Sequence, residues 1–98
     1  MKVEAEYQRK LITKIENRFP GAIVNKNDPV SIHRQGYPDL LILYKNKWAA
    51  LETKRVTGAS KRPNQGYYVN LLNSMSYASF IYPENEEQVF NELDEVFK

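Results

Sequence analysis

Two apolar runs of strand length, Tyr37 to Tyr44 (YPDLLILY) and Trp48 to Lys54 (WAALETK), flank the polar triplet Lys45-Asn46-Lys47, and the pattern predicts a β-hairpin. A two- or four-residue loop centred between Lys45 and Asn46 pairs Tyr44 with Lys47. The same register pairs Asp39 with Glu52, because each pair of numbers sums to 91. A slip of one residue would destroy that match. Residues directly opposite on antiparallel strands have Cβ atoms roughly 4.5–5.5 Å apart, and like charges there repel unless something positive lies between them. Lys54 stands two residues beyond Glu52, on the same face of its strand by the period of two. Two carboxylates and an amine therefore gather within reach of one point, with room for a further cation.

The plain alternative is a strand-edge aspartate after a turn proline, beside an exposed Glu52–Lys54 salt bridge. The neighbouring residues weigh against it. Leu40-Leu41-Ile42-Leu43 and Ala49-Ala50-Leu51 predict strands buried on both faces. Charges in such strands are costly unless paired or metal-bound.

Residues 3 to 19 predict a first helix. At 100° per residue Val3, Tyr7, Leu11, Ile12, Ile15 and Phe19 fall in one apolar sector. Glu4 and Gln8, one turn apart, project into its middle, whereas Glu6 and Glu16 project away. A glutamate and a glutamine on a core-facing stripe need polar partners inside the fold, and the strand site offers them. The competing explanation for Glu4 is a frayed first turn, where an acid favours the helix dipole.

Gly36-Tyr37-Pro38-Asp39-Leu40 followed by Glu52-Thr53-Lys54 resembles the signature of the PD-(D/E)XK nucleases. The closer resemblance is to their virus-type replication-repair branch, the VRR-NUC domain. It rests on Glu4 with Gln8 four residues later, the Gly-x-Pro-Asp segment, the Glu-x-Lys strand and Gln65 opening the next helix. It spans about Glu4 to Tyr82. Each motif alone is weak, and their order and spacing together carry the comparison. Gly66 directly after Gln65 departs from the pattern, and 55 to 62 is a looser loop than the family's.

The resemblance implies a restriction-endonuclease-like core and metal-dependent hydrolysis of DNA phosphodiesters, with endonuclease action on branched DNA such as a Holliday junction or flap. Hard carboxylates suit Mg²⁺ or Mn²⁺, which supply charge neutralisation and a nucleophile at neutral pH. On this reading Asp39 and Glu52 are metal ligands, joined by the backbone carbonyl of Thr53. Glu4 holds a metal-bound water or a second ion, Lys54 orients the attacking water, and Gln65 positions Lys54 or a phosphate.

Composition narrows the partner. Net charge is +2, but residues 84 to 98 hold six acids and one lysine, net −5, leaving net +7 on residues 1 to 83. Lys45, Lys47, Lys54, Arg55, Lys61 and Arg62 predict a phosphate-tracking surface around the hairpin and the loop after it, with His33 and Arg34 near the site. The ordinary alternative is that these lysines and arginines are merely solubilising. Zero cysteines exclude disulfide stapling and thiolate metal sites. No stretch approaches the ~20 apolar residues of a membrane span, and no signal-peptide pattern opens the chain, so a cytoplasmic protein is expected. The resemblance points to a phage or prophage protein in a bacterial host.

The 98 residues predict one domain, 1–98, with a core burying ~65% of the unfolded surface. Phe19-Pro20-Gly21 ends the first helix, and Ala22 to Asn25 predicts a short strand. Pro63 to Met75 predicts a second helix, Ala78 to Tyr82 a last strand, and a helix after Pro83-Glu84-Asn85 buries Val89, Phe90, Leu93, Val96 and Phe97. The fold class is mixed, α/β (α+β), in the order αβββαβα, with a small mixed sheet flanked by helices. So small a nuclease has little surface to grip a duplex, and a homodimer is expected. Two other classes compete: a non-cleaving DNA-binding module of the same fold, and a metal-dependent hydrolase of a small phosphorylated molecule.

Overall fold

The computed structural model describes residues 2–27, 37–54 and 65–98, with side chains from Ala5 onward. Its elements run α1 (Lys2–Arg18), β1 (Ile23–Lys26), β2 (Leu40–Tyr44), β3 (Lys47–Thr53), α2 (Gln65–Met75), β4 (Ala78–Ile81) and α3 (Glu86–Val96), with a single 3₁₀ turn at Pro83–Asn85 before α3. The class is mixed α+β, and the order is the expected αβββαβα.

Four strands form one sheet in the order β1-β2-β3-β4. The first two pairings are antiparallel, and β3 with β4 is parallel. A parallel pair needs a crossover, and α2 lies in that connection. The hairpin closes through a two-residue turn, Lys45-Asn46, with Tyr44 opposite Lys47 and Leu40 opposite Leu51. That is the register with the sum of 91. Lys45 takes φ 58, the left-handed conformation that suits a tight hairpin turn.

Helices cover the two faces of the sheet unequally. Leu11, Ile15 and Phe19 of α1 and Val89, Phe90, Leu93 and Phe97 in and just after α3 pack with Leu40, Ile42, Ala49, Leu51 and Ile81. On the opposite face Val69 and Leu72 of α2 meet Ala50 and Ala78, with Trp48, Phe80 and Tyr37 beside them. Alternation along β3 follows: Ala49 and Leu51 go to the α1/α3 layer, Trp48 and Ala50 to α2. The expectation that β2 is buried on both faces fails at Leu43, which is 37% exposed. The reason is that α2 sits over β3 and β4 and leaves the outer face of β1 and β2 open.

Each helix end follows its local chemistry. Gly21 takes φ +95 after Pro20, a turn that an L side chain would strain, and the Ala22 amide donates to the Phe19 carbonyl at 2.9 Å. Before α3 the Asn85 side chain accepts from the Tyr82 amide at 2.9 Å and donates to the Phe80 carbonyl at 3.0 Å. The acids of α3 are paired in part: Lys14 with Glu86 at 2.8 Å and Arg18 Nε with Asp94 at 3.1 Å tie α1 to α3. The hydrogen bond and charge of Arg18 hold the Asp94 carboxyl below its usual range. A lowered carboxyl pKa contributes stability above the ordinary aspartate value of 3.8 that is lost as pH falls through the folded value. The melting-temperature gap between wild type and Asp94→Asn is therefore expected to be widest near neutral pH and to close below pH 3.8. It is also expected to shrink in high salt, since the pair is exposed. A gap that widens on acidification would contradict this pair.

Candidate active site

The site lies where the hairpin strands leave the sheet, opposite the Lys45-Asn46 turn. The regular β2–β3 ladder ends at Leu40 and Leu51. Asn27 holds the segment before Leu40 beside β1: its Nδ2 donates to the Pro38 carbonyl at 2.7 Å, and its own amide donates to the Asp39 carbonyl at 2.8 Å, one step beyond the Lys26–Leu40 pair. The Asp39 side chain then takes the ladder's place. Its Oδ1 accepts from the Thr53 amide at 3.0 Å, which lays the carboxylate against the Glu52–Thr53 peptide. The expected pairing of Asp39 with Glu52 is not among the regular pairs, which end at Leu40 and Leu51; the Asp39 carboxylate meets Thr53, whose side chain lies on the opposite face of β3 from that of Glu52.

Oδ2 of Asp39 accepts from the Thr53 hydroxyl at 2.7 Å and from Gln8 Nε2 at 3.0 Å. Gln8 Nε2 also donates to Thr53 Oγ1 at 3.2 Å. Gln8 therefore projects into the strand site, as its place on the apolar stripe of α1 implies.

On the α2 side, Glu52 is 1% exposed and Lys54 6%. Lys54 Nζ stands 3.7 Å from Glu52 Oε2, an ion pair that is longer than a hydrogen bond. Gln65, fully buried at the first position of α2, donates from Nε2 to the same oxygen at 2.7 Å. This differs from the expectation that Gln65 serves Lys54 or a phosphate: the glutamine holds the carboxylate. Gly66 fits the first turn of α2, where an added Cβ would meet nothing within 4 Å. The edge-to-face contact of Tyr37 with Tyr68, centroids 5.6 Å apart, fastens α2 beside the segment carrying Asp39.

Two sets of side chains thus form, Asp39 with Thr53 and Gln8 and Glu52 with Lys54 and Gln65, joined through the neighbouring residues Glu52 and Thr53 of β3. Glu4 falls in α1 with its side chain outside the described residues, as do Arg34, Arg55, Lys61 and Arg62 altogether, with His33. Lys45 and Lys47 do not join the site. They lie at the turn end of the hairpin, roughly 20 Å away at the rise of extended chain. There Lys45 covers the Tyr44 ring at 5.2 Å, and Lys47 Nζ donates to the Lys98 carbonyl at 2.7 Å. The expected basic surface around the hairpin is split, because strands separate their two ends and Lys54 points inward to Glu52.

Two residues carry more of the site than their types suggested. Thr53 was expected to contribute only its carbonyl, yet its hydroxyl binds Asp39. Asn27, in a polar stretch, holds the Pro38 carbonyl. The signal for Thr53 was a polar residue on the layer that Ala49 and Leu51 share. Nothing local marked Asn27.

Among the described residues, no three His, Cys, Asp or Glu side chains gather to hold an ion. The donor set present is two carboxylates with a backbone carbonyl at Thr53, all hard oxygens, which suits Mg²⁺ or Mn²⁺. No helix among the described residues is long and apolar enough to cross a membrane. No protein-family model, curated protein or solved structure matches the chain.

Proposed function

We propose that the chain is a metal-dependent deoxyribonuclease of the PD-(D/E)XK type, close to the VRR-NUC branch, acting as a structure-selective endonuclease on branched DNA. One observation carries the reading: Glu52 and Lys54 are charged yet buried at the end of β3, on either side in sequence of Thr53, whose amide donates to the Asp39 carboxylate. Burying such a pair in place of apolar side chains is rarely the most stable choice for a fold. Charged side chains buried at the ends of strands mark a candidate reactive site.

Asp39 and Glu52, with the Thr53 carbonyl, would hold Mg²⁺ or Mn²⁺, and Glu4 would add a third carboxylate. A divalent ion bound there supplies Lewis acidity and neutralises charge on the phosphoryl oxygens. Gln65 keeps Glu52 Oε2 in place through its 2.7 Å bond. Lys54, close to that carboxylate, presents a positive charge to the scissile phosphate and orients the attacking water. Arg34, Arg55, Lys61 and Arg62 supply phosphate contacts along the DNA. Two copies in a two-fold dimer would place two such sites on two strands, and a phage or prophage protein in a bacterial cytoplasm is the setting.

A non-cleaving DNA-binding module is the second reading, and one observation favours it. The bonds from the Thr53 amide and hydroxyl and from Gln8 are also those of an aspartate that merely finishes a strand. Plasmid nicking and cleavage of synthetic four-way junctions in Mg²⁺, Mn²⁺ or EDTA separate the two. Cutting is expected with either metal, and EDTA or Asp39→Ala is expected to lower it roughly 10³-fold, about 4 kcal/mol of transition-state stabilisation. Tight DNA binding with no metal-dependent cutting would establish the module instead.

A further inference from the structure

We propose that the Thr53 hydroxyl and the Gln8 carboxamide form a positioning pair that sets the orientation of the Asp39 carboxylate for cation binding, an inference that rests on the metal-dependent reading above. The three side chains close a ring. Thr53 Oγ1 donates to Asp39 Oδ2 at 2.7 Å, Gln8 Nε2 donates to the same oxygen at 3.0 Å, and Gln8 Nε2 donates to Thr53 Oγ1 at 3.2 Å. Proton counting allows all three together. The two acceptors lie too close together for the diverging amide hydrogens to meet one each, so Gln8 shares a hydrogen between them in a three-centre bond, while the hydroxyl gives its single hydrogen to Asp39 and accepts on a lone pair. The Thr53 amide meets Oδ1 at 3.0 Å, so both oxygens are held and rotation of the carboxylate about its own axis is blocked.

Placement argues that this ring serves Asp39 rather than the fold at large. Thr53 is 2% exposed on the layer of Ala49 and Leu51, opposite in pleat to Glu52 and Lys54. Valine has the same shape, favours strands as strongly and would suit that apolar layer. Gln8, 7% exposed, lies on the stripe that otherwise carries Leu11 and Ile15. Burying an amide and a hydroxyl there costs stability unless each is hydrogen-bonded. Their shared partner is the Asp39 carboxylate, whose other oxygen accepts from the Thr53 amide. Groups that orient a metal ligand from behind typically change affinity 10–100-fold when removed. Neither Thr53 nor Gln8 needs to touch the substrate for this.

Mn²⁺ binding to the full chain, followed by titration calorimetry and by the electron paramagnetic resonance of free Mn²⁺, tests the pair without any assay of cleavage. Thr53→Val is expected to weaken Mn²⁺ binding 10–100-fold, Gln8→Met by a similar factor, and the double variant little more than the weaker single. Thr53→Ser, which keeps the hydroxyl, is expected to bind within about 3-fold of wild type, since it alters packing but not the donor set. A folded Thr53→Val that binds Mn²⁺ like wild type overturns the pair, and so does equal weakening by serine and valine, the mark of a packing role. Should Thr53→Val not fold, unchanged affinity in Gln8→Met overturns it. Wild-type protein that binds no Mn²⁺ removes the metal reading itself, and this inference with it. Retained wild-type binding with unaffected variants removes the inference alone.

Discussion

Lys54→Met is expected to destabilise the fold by about 2–4 kcal/mol, and adding Glu52→Gln is expected to restore part of that loss while DNA cleavage stays near background. The side chains of Lys54 and Glu52 are 8% and 1% exposed and stand 3.7 Å apart. Removing the cation takes a positive charge away from a buried carboxylate that Gln65 holds by one oxygen, and the loss of that attraction in a low-dielectric setting dominates the cost. Making residue 52 neutral removes it. The coupling between the two changes should be roughly 1–3 kcal/mol in urea unfolding, as expected for residues in contact. Cleavage should behave differently: each single change is expected to cost roughly 10³-fold, and the pair no more than either alone, because residues acting as one unit are not additive. A double variant no more stable than Lys54→Met would show that the two charges do not interact. Recovery of cutting along with stability would show that they serve the fold and not the chemistry.

Leu51→Ala is expected to lower stability by about 3–4 kcal/mol, a fall in melting temperature of roughly 12–30 °C for a domain of this size. Leu51 is fully buried on β3, flanked by Leu40 on β2 and Ser79 on β4, in the layer filled by α1 and α3. Neighbours on two strands and two helices cannot all move into the space that alanine leaves, so a cavity term adds to the lost transfer energy. Leu43→Ala is the control. Leu43 is one strand away but 37% exposed, on the face that α2 leaves open, and its loss is expected to be below about 1 kcal/mol. Equal effects at the two positions, read from thermal melts, would contradict the layer assignment. The Leu51–Leu40 pair also holds the two segments that carry Glu52 and Asp39, so the cavity should loosen the site as well as the core.

Local pattern carried much of the fold. The period of two in YPDLLILY and WAALETK, with one polar turn between them, leaves a single register that buries both strands, and that register brings Asp39 to the Glu52–Thr53 peptide. The period of 3.6 in α1 likewise aimed Gln8 inward. Side-chain direction within a strand or helix is a property of neighbouring residues, so it can be read from the chain alone.

Layering and distance could not be. No local signal says that α2 covers β3 and β4 and leaves Leu43 exposed, that α3 joins α1 on the other face through Lys14–Glu86 and Arg18–Asp94, or that Gln65 donates to Glu52. Lys45 and Lys47 are near the site in number yet at the far end of the hairpin in space, since an extended chain converts a few residues into many ångströms. Thr53 and Gln8, 45 residues apart, meet on Asp39 only once α1 has docked on the sheet. Periodicity states which way a side chain points; which group waits there depends on how separate elements pack, and that is a property of the folded whole.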